Sequence, residues 1–249
     1  KQEKAALKAQ VAESMPPAYW ANAKPENTKD GFALVSLDKT RDKATWQALE
    51  KLLPTNANYF GKGRDADKSY PKYDKLRFVS AWRVEHPSLW RKFQAAQKEV
   101  EVDLTTLKKA HVKQNPGLPA RPHSGACLLH GSDLPGELNG DVNESILLHG
   151  APPQNLFSIL ATGLNERFAG SNAGTAFGGG LYLAEDVGKC DQYSEVDDNY
   201  TSLGSLGELH QRLYPPGQPG HQGKVFYVLV CRVALGHHAR TKTSAITVN

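Results

Sequence analysis

Residues 146–194 constrain this chain more than any other stretch: ILLHGAPPQNLFSILATGLNERFAGSNAGTAFGGGLYLAEDVGKCDQYS. A short apolar run, Ile146-Leu147-Leu148, delivers a His149-Gly150 pair. A helical segment follows and ends near Thr162-Gly163. Residues 170–180 then place five glycines in eleven positions, and Gly178-Gly179-Gly180 opens a second apolar run, Leu181-Tyr182-Leu183-Ala184. Glu185-Asp186 begins an acidic helix that leads to Tyr193, eleven residues after Tyr182. Two strands with a glycine-dense loop between them make a binding cleft, because functional loops sit on rigid scaffolds.

Each residue has a bland reading beside the functional one. Glycine after a strand-end histidine lets a ligand approach the backbone, since no Cβ blocks it. Free N–H and C=O groups at a strand end pair with a flat, amide-bearing ligand. Equally, His149 is a satisfied interior histidine and Gly150 a turn residue. Tyr182 and Tyr193 are suited to stacking on a planar heterocycle, with hydroxyls that seek partners, or they are two core tyrosines. The glycine-dense loop is neither a dinucleotide fingerprint nor a phosphate-binding P-loop, because no GxGxxG or GK[ST] pattern stands between strand and helix.

Taken together, these residues are far more specific. The stretch resembles the catalytic core of the poly(ADP-ribose) polymerase family, the diphtheria-toxin-like ADP-ribosyltransferases. His149-Gly150, the run Gly180-Leu181-Tyr182-Leu183-Ala184, Cys190 and Tyr193 fall where that family carries its motifs. The loop over residues 163–173 is similar to the mono-ADP-ribosylating branch, and residues 185–193 look as much like the tankyrase version. Upstream, residues 79–93 (VSAWRVEHPSLWRKF) resemble the family's first strand and following helix, and Pro16-Pro17-Ala18-Tyr19-Trp20 its lead-in. Downstream, residues 225–236 resemble a late strand that ends in Ala-Leu-Gly. A near-duplicate, Leu128-Leu129-His130-Gly131, is set aside by spacing. Tyr182 lies 33 residues after His149, which suits the family, and 52 after His130, which does not.

The resemblance implies an α+β fold, with two packed, mainly antiparallel sheets forming a central NAD cleft and helices flanking it. It implies a protein ADP-ribosyltransferase that cleaves the nicotinamide–ribose bond of NAD and passes ADP-ribose singly to a protein acceptor, with NAD as co-substrate and no metal. His149 and Tyr182 would be catalytic. His149, Gly150, Ala151, Ser158, Asn165, Phe168, Cys190 and Tyr193 would contact NAD. In those roles the Gly150 backbone pairs with the carboxamide, His149 holds the adenosine ribose, Tyr182 lines the other ribose, Tyr193 stacks on nicotinamide, and the loop from Phe168 covers adenosine. Three departures stand out. Cys190 replaces a serine of the nicotinamide wall, and a thiol is the weaker hydrogen-bond donor. Asn165 stands where some members have arginine. Nothing in residues 237–249 resembles the strand that carries the third motif, a glutamate in polymer-forming members. The alternatives are a non-catalytic NAD-binding or scaffolding module, or an NAD glycohydrolase.

The rest of the chain is ordinary for a globular protein, with 39% apolar and 22% charged residues in 249. The expected organisation is a helical lead-in over residues 1–15 and one catalytic domain over 16–249, monomeric and part of a longer chain. Three unpaired cysteines without a CxxC argue against a disulfide framework or zinc site and for a reducing, intracellular compartment, cytoplasm or nucleus. A secreted toxin of the same fold stays open. The net charge of +4 is spread along the chain, so no nucleic-acid footprint is visible, and no apolar run approaches the ~20 residues of a membrane span. Strands are expected over residues 32–37, 76–84, 181–184 and 224–233, and amphipathic helices over 42–53 and 87–107. A short helix is expected near 206–213. Loops are expected over 56–74, 111–125 and 132–141.

Overall fold

The chain alternates short strands with helices, and the pairing of those strands places everything else. The computed structural model describes residues 15–22, 29–56, 59, 76–110, 125–166 and 178–238. The lead-in over residues 1–14, most of the loops expected over 56–74 and 111–125, Phe168 with its loop, and residues 239–249 lie outside that set.

Strand β1 (Ala33–Ser36) pairs antiparallel with β2 (Trp82–Glu85), with Ala33 opposite Glu85 and Ser36 opposite Trp82. Helix α1 (Lys43–Glu50) follows β1 and buries Trp46 and Ala48, while the Trp46 indole donates to Glu50 Oε1 at 3.1 Å. Helix α2 (Pro87–Lys109) follows β2 directly. Proline in its first turn sacrifices no hydrogen bond, because the N–H groups there have no intrahelical partner. His86 caps it: Nδ1 accepts from the Leu89 amide at 3.3 Å and Nε2 donates to the Ala161 carbonyl at 3.0 Å.

The second sheet carries the candidate site. Strand β3 (Glu144–Gly150) pairs antiparallel with β4 (Val228–Ala234), from Glu144 opposite Ala234 to Gly150 opposite Val228. Ile146, Leu147 and Leu148 are all buried, which is why this strand reads as a continuous apolar run rather than an alternating one. On its other edge, Leu148 exchanges two 2.8 Å hydrogen bonds with Ala184. Helix α3 (Ala126–His130) precedes β3, and α4 (Pro153–Thr162), α5 (Val187–Asp191) and α6 (Gly204–Leu213) run between β3 and β4.

Two apolar clusters fix the arrangement. Leu52, Cys127, Ile146, Leu148, Val187 and Cys190 form one. Ala151, Leu156, Leu209 and Leu213 form the other, with Leu34 and Trp82 of the first sheet and Leu229 of the second packed on them. The second cluster thus ties both sheets together through α4 and α6. The α+β class with two antiparallel sheets agrees with the sequence reading.

Three expectations shift. The strand expected over 76–84 begins only at Trp82, because residues before it lack a full ladder partner, although the Leu37 amide still donates to the Ala81 carbonyl at 3.0 Å. The run at 181–184 meets the sheet at Ala184 alone rather than as a ladder strand. The expected loop over 132–141 contains two short 3-10 turns, Gly131–Asp133 and Gly140–Val142. None of the described helices is long and apolar enough to cross a membrane.

Candidate active site

The site forms where β3 ends. His149 and Gly150 are its last two residues, half-buried, and Ala151 follows, buried against Leu156. His149 Nδ1 lies 2.9 Å from the Tyr182 carbonyl. A carbonyl only accepts, so Nδ1 carries the proton, and in the neutral ring Nε2 is left as an acceptor. One hydrogen bond therefore joins the His-Gly motif to the tyrosine motif 33 residues on and fixes the tautomer. The Tyr182 hydroxyl donates to the Gly178 carbonyl at 2.7 Å, which pins the end of the glycine-dense loop. The Tyr182 side chain is accessible, at 36% exposure, as a ligand contact requires.

Helix α5 supplies the other wall. Asp186 caps it by accepting from the Gly188 amide at 2.8 Å, and the same carboxylate accepts from the Thr55 hydroxyl at 2.5 Å and the Asn56 amide at 2.8 Å. Cys190 sits on this helix with its sulfur buried. Burial, then the neighbouring thiols Cys127 and Cys231, push its pKa far up, against a smaller opposing hydrogen bond from the Gly150 amide. Cys190 is accordingly a neutral thiol, a packing and weak hydrogen-bonding group rather than a nucleophile. The Tyr193 and Ser194 amides both return to the Cys190 carbonyl, at 2.9 and 3.1 Å. Lys189 Nζ lies 4.9 Å from the Tyr193 ring centroid, a cation–π contact, and also donates to Gln192.

A methyl group at Gly150 would stand 2.3 Å from the Cys190 carbonyl oxygen and 2.9 Å from Ser194 Oγ. Glycine is therefore required here by the fold's own backbone approach, a reason the sequence does not disclose. Ser194, fully buried, lies within hydrogen-bond distance of the carbonyls of Cys190 (3.2 Å) and Tyr227 (3.3 Å), and so links α5 to the start of β4. Neither Ser194 nor Lys189 stands out in the sequence, because both act through neighbours that only folding supplies.

Of the sequence-derived set, His149, Gly150, Ala151, Tyr182, Cys190 and Tyr193 gather around the end of β3. Ser158 lies exposed on α4, where its carbonyl accepts from Thr162 Oγ1, and Asn165 is exposed just beyond that helix. Phe168 is outside the described residues. The rejected duplicate, His130, ends helix α3 with Nδ1 3.7 Å from Asp133, away from any strand end. One further group is unforeseen: Asp197, His210 and His221 bring three metal-capable atoms within 4.8 Å of one another.

An α+β chain with paired antiparallel sheets, a strand-end imidazole held by a tyrosine-bearing segment, and a short helix bringing a second tyrosine has the makings of an ADP-ribosyltransferase fold. Residues 56–249 match the family model of the poly(ADP-ribose) polymerase catalytic domain, and the chain belongs to that family. Domains of this family use NAD as their substrate. The donor set fits that molecule: an imidazole acceptor suits a ribose hydroxyl, and the Gly150 amide, now engaged with a weakly accepting thiol, suits a carboxamide oxygen.

Proposed function

We propose that this protein transfers single ADP-ribosyl groups from NAD to a protein acceptor. The observation that carries the reading is the 2.9 Å hydrogen bond from His149 Nδ1 to the Tyr182 carbonyl, because it presents Nε2 as an acceptor beside an accessible tyrosine. In this reading Nε2 accepts from an adenosine-ribose hydroxyl, and Tyr182 lines the ribose next to nicotinamide. The Gly150 backbone takes the carboxamide, and Tyr193 stacks on the nicotinamide ring, with Lys189 giving way where it covers the face. Ala151 and Cys190 close the wall, and Ser158 and Asn165 are further NAD contacts in this reading.

The reaction breaks the bond between C1 of the ribose and the nicotinamide nitrogen. That electron pair leaves with nicotinamide, which departs neutral. The acceptor side chain forms a new bond to the same carbon and gives up its proton to a nearby base or to solvent. Ring stacking contributes about 0.5–1.5 kcal/mol beyond area burial, so it orients nicotinamide without supplying the rate. Holding the reacting atoms in line contributes more. Single rather than repeated transfer rests on the likeness of residues 163–173 to the mono-transferring branch. The protein acceptor rests on the family resemblance, and an intracellular setting on the three cysteines without a CxxC.

The test is incubation with alkyne-tagged NAD, then denaturing electrophoresis, beside His149→Ala. A discrete labelled band that the substitution abolishes supports single transfer. A smear means polymer. NAD binding without label points to the non-catalytic reading, and free ADP-ribose without labelled protein to a glycohydrolase.

A further inference from the structure

Behind the site, residues from three separate segments converge on one carboxylate. Asp197 precedes α6 and is held by a bridge to Val225, through hydrogen bonds of 2.8 and 2.9 Å. His210 lies on α6 and His221 on the loop that leads to β4. Their side chains are 3%, 0% and 3% exposed, respectively. His210 Nε2 is 2.7 Å from Asp197 Oδ2, His221 Nε2 is 3.1 Å from the same oxygen, and the Tyr227 hydroxyl donates to it at 2.8 Å.

Three groups crowding one oxygen leave one of them over. His221 Nε2, despite its 3.1 Å separation, makes no hydrogen bond and is buried from solvent. A buried polar atom without a partner is destabilising, so a folded protein rarely leaves one without a reason. We propose that Asp197, His210 and His221 form a structural site for a divalent transition-metal ion of the zinc class. Two imidazoles and a carboxylate are the donors such an ion takes, whereas magnesium and calcium prefer all-oxygen sites. At zinc–ligand distances near 2.1 Å, tetrahedral ligands stand about 3.4 Å apart. The pairs at 2.7 and 3.1 Å reach that with openings of about 0.7 and 0.3 Å. The Tyr227 hydroxyl, 2.8 Å from Asp197 Oδ2, is a further oxygen beside the cluster.

The proton inventory demands the same tautomer change at both histidines. His210 Nδ1 accepts from the Thr201 amide at 2.9 Å, so in the metal-free site Nε2 carries the proton toward Asp197; binding through Nε2 moves it to Nδ1, where the Thr201 carbonyl at 3.2 Å accepts it. His221 Nδ1 accepts from the Gly223 amide at 3.0 Å. Binding through Nε2 puts the proton on Nδ1, and that amide contact gives way. Each histidine thus binds as a neutral imidazole, its proton moved from Nε2 to Nδ1. The site is closed to solvent. It staples residues 197–221 against β4, where Tyr227 also meets Ser194.

The test is metal content of untagged protein expressed with zinc, measured by mass spectrometry after gel filtration. Chelator stripping and titration with Zn2+, Co2+ and Mg2+ follow. One equivalent of zinc per chain is expected, with a melting temperature that falls on stripping and recovers with Zn2+ or Co2+ but not Mg2+. Asp197→Asn and His221→Gln should lose the equivalent while His237→Ala, at an exposed histidine, keeps it. If the folded protein carries background zinc and the stripped protein fails to compete with a chromogenic chelator, the proposal is wrong. It is equally wrong if both site variants, checked for fold by circular dichroism, retain the equivalent. None of these readouts needs NAD turnover.

Discussion

Gly150 has no room for a side chain, and that makes it the sharpest single-residue test of the site. Alanine there meets the Cys190 carbonyl oxygen at 2.3 Å, backbone against backbone, so α5 or the end of β3 must move. Overpacking of this kind costs about 1–3 kcal/mol. Gly150→Ala should lower the unfolding free energy by that amount in a urea titration and abolish NAD labelling even below the melting transition. An unchanged midpoint with activity retained would show that the close approach does not bear on the site. The residue scale also shows what the sequence could and could not disclose. The spacing of His149, Tyr182 and Tyr193 is readable without coordinates, and the structure sets His149 beside Tyr182. The reason for Gly150 is not readable in that way, because the atom it avoids belongs to a residue forty positions on.

Helix α5 spans only Val187–Asp191, too short to stand alone; Val187 and Cys190 seat it in the core, and one carboxylate ties its start to a distant segment. Asp186 caps the helix and also accepts from Thr55 and Asn56, some 130 residues earlier in the chain. Asp186→Ala removes the cap, worth about 1 kcal/mol, and releases the anchor to that earlier segment as well. The expected outcome is a loss of about 1–3 kcal/mol in stability and a raised KM for NAD with a smaller change in kcat. Equal loss in both kinetic constants at full stability would argue that Asp186 does not act by placing α5. Among the elements, α1, α2 and β4 could be read from periodicity and from proline at a helix start, within a few residues. The start of β2 and the extent of the 181–184 run could not, because apolar alternation signals burial and not which strand lies alongside. The Asp197, His210 and His221 cluster has no repeated spacing at all; only the fold of residues 197–221 assembles it.

Across the whole molecule, the Glu144–Arg232 pair locks the far end of the β3–β4 sheet. Arg232 Nε donates to Glu144 Oε1 at 2.5 Å, the Asn139 amide donates to Oε2 at 2.7 Å, and the guanidinium lies 5.5 Å from the Trp90 ring. Burial of Glu144 works to raise its pKa, but the Arg232 and Asn139 hydrogen bonds outweigh it and hold the carboxyl below its ordinary value of 4.5. A carboxyl whose folded pKa is depressed stabilises the fold above the unfolded pKa and loses that contribution as pH falls through the folded one. Stability should therefore decline below about pH 4.5, and Glu144→Gln should flatten that decline in pH-dependent melting. At neutral pH the same substitution strands a half-buried cation and should cost about 3–5 kcal/mol, so a neutral effect would mean that the pair contributes little.

Cys127, Cys190 and Cys231 give the molecule a property unrelated to catalysis. All three are free thiols, Cys127 and Cys190 are buried, and burial first of all pushes Cys127 and Cys231 up to about 12 and Cys190 higher still. At neutral pH almost none of this sulfur is thiolate, so maleimides and iodoacetamide should find little to attack while the chain is folded. Alkylation followed by intact mass then counts unfolding events directly. Rapid modification of the native protein would contradict the burial described, whereas slow modification that tracks denaturant would let a pull-down, a lysate or a mutant library be scored for folded protein without purification or a fluorescent dye.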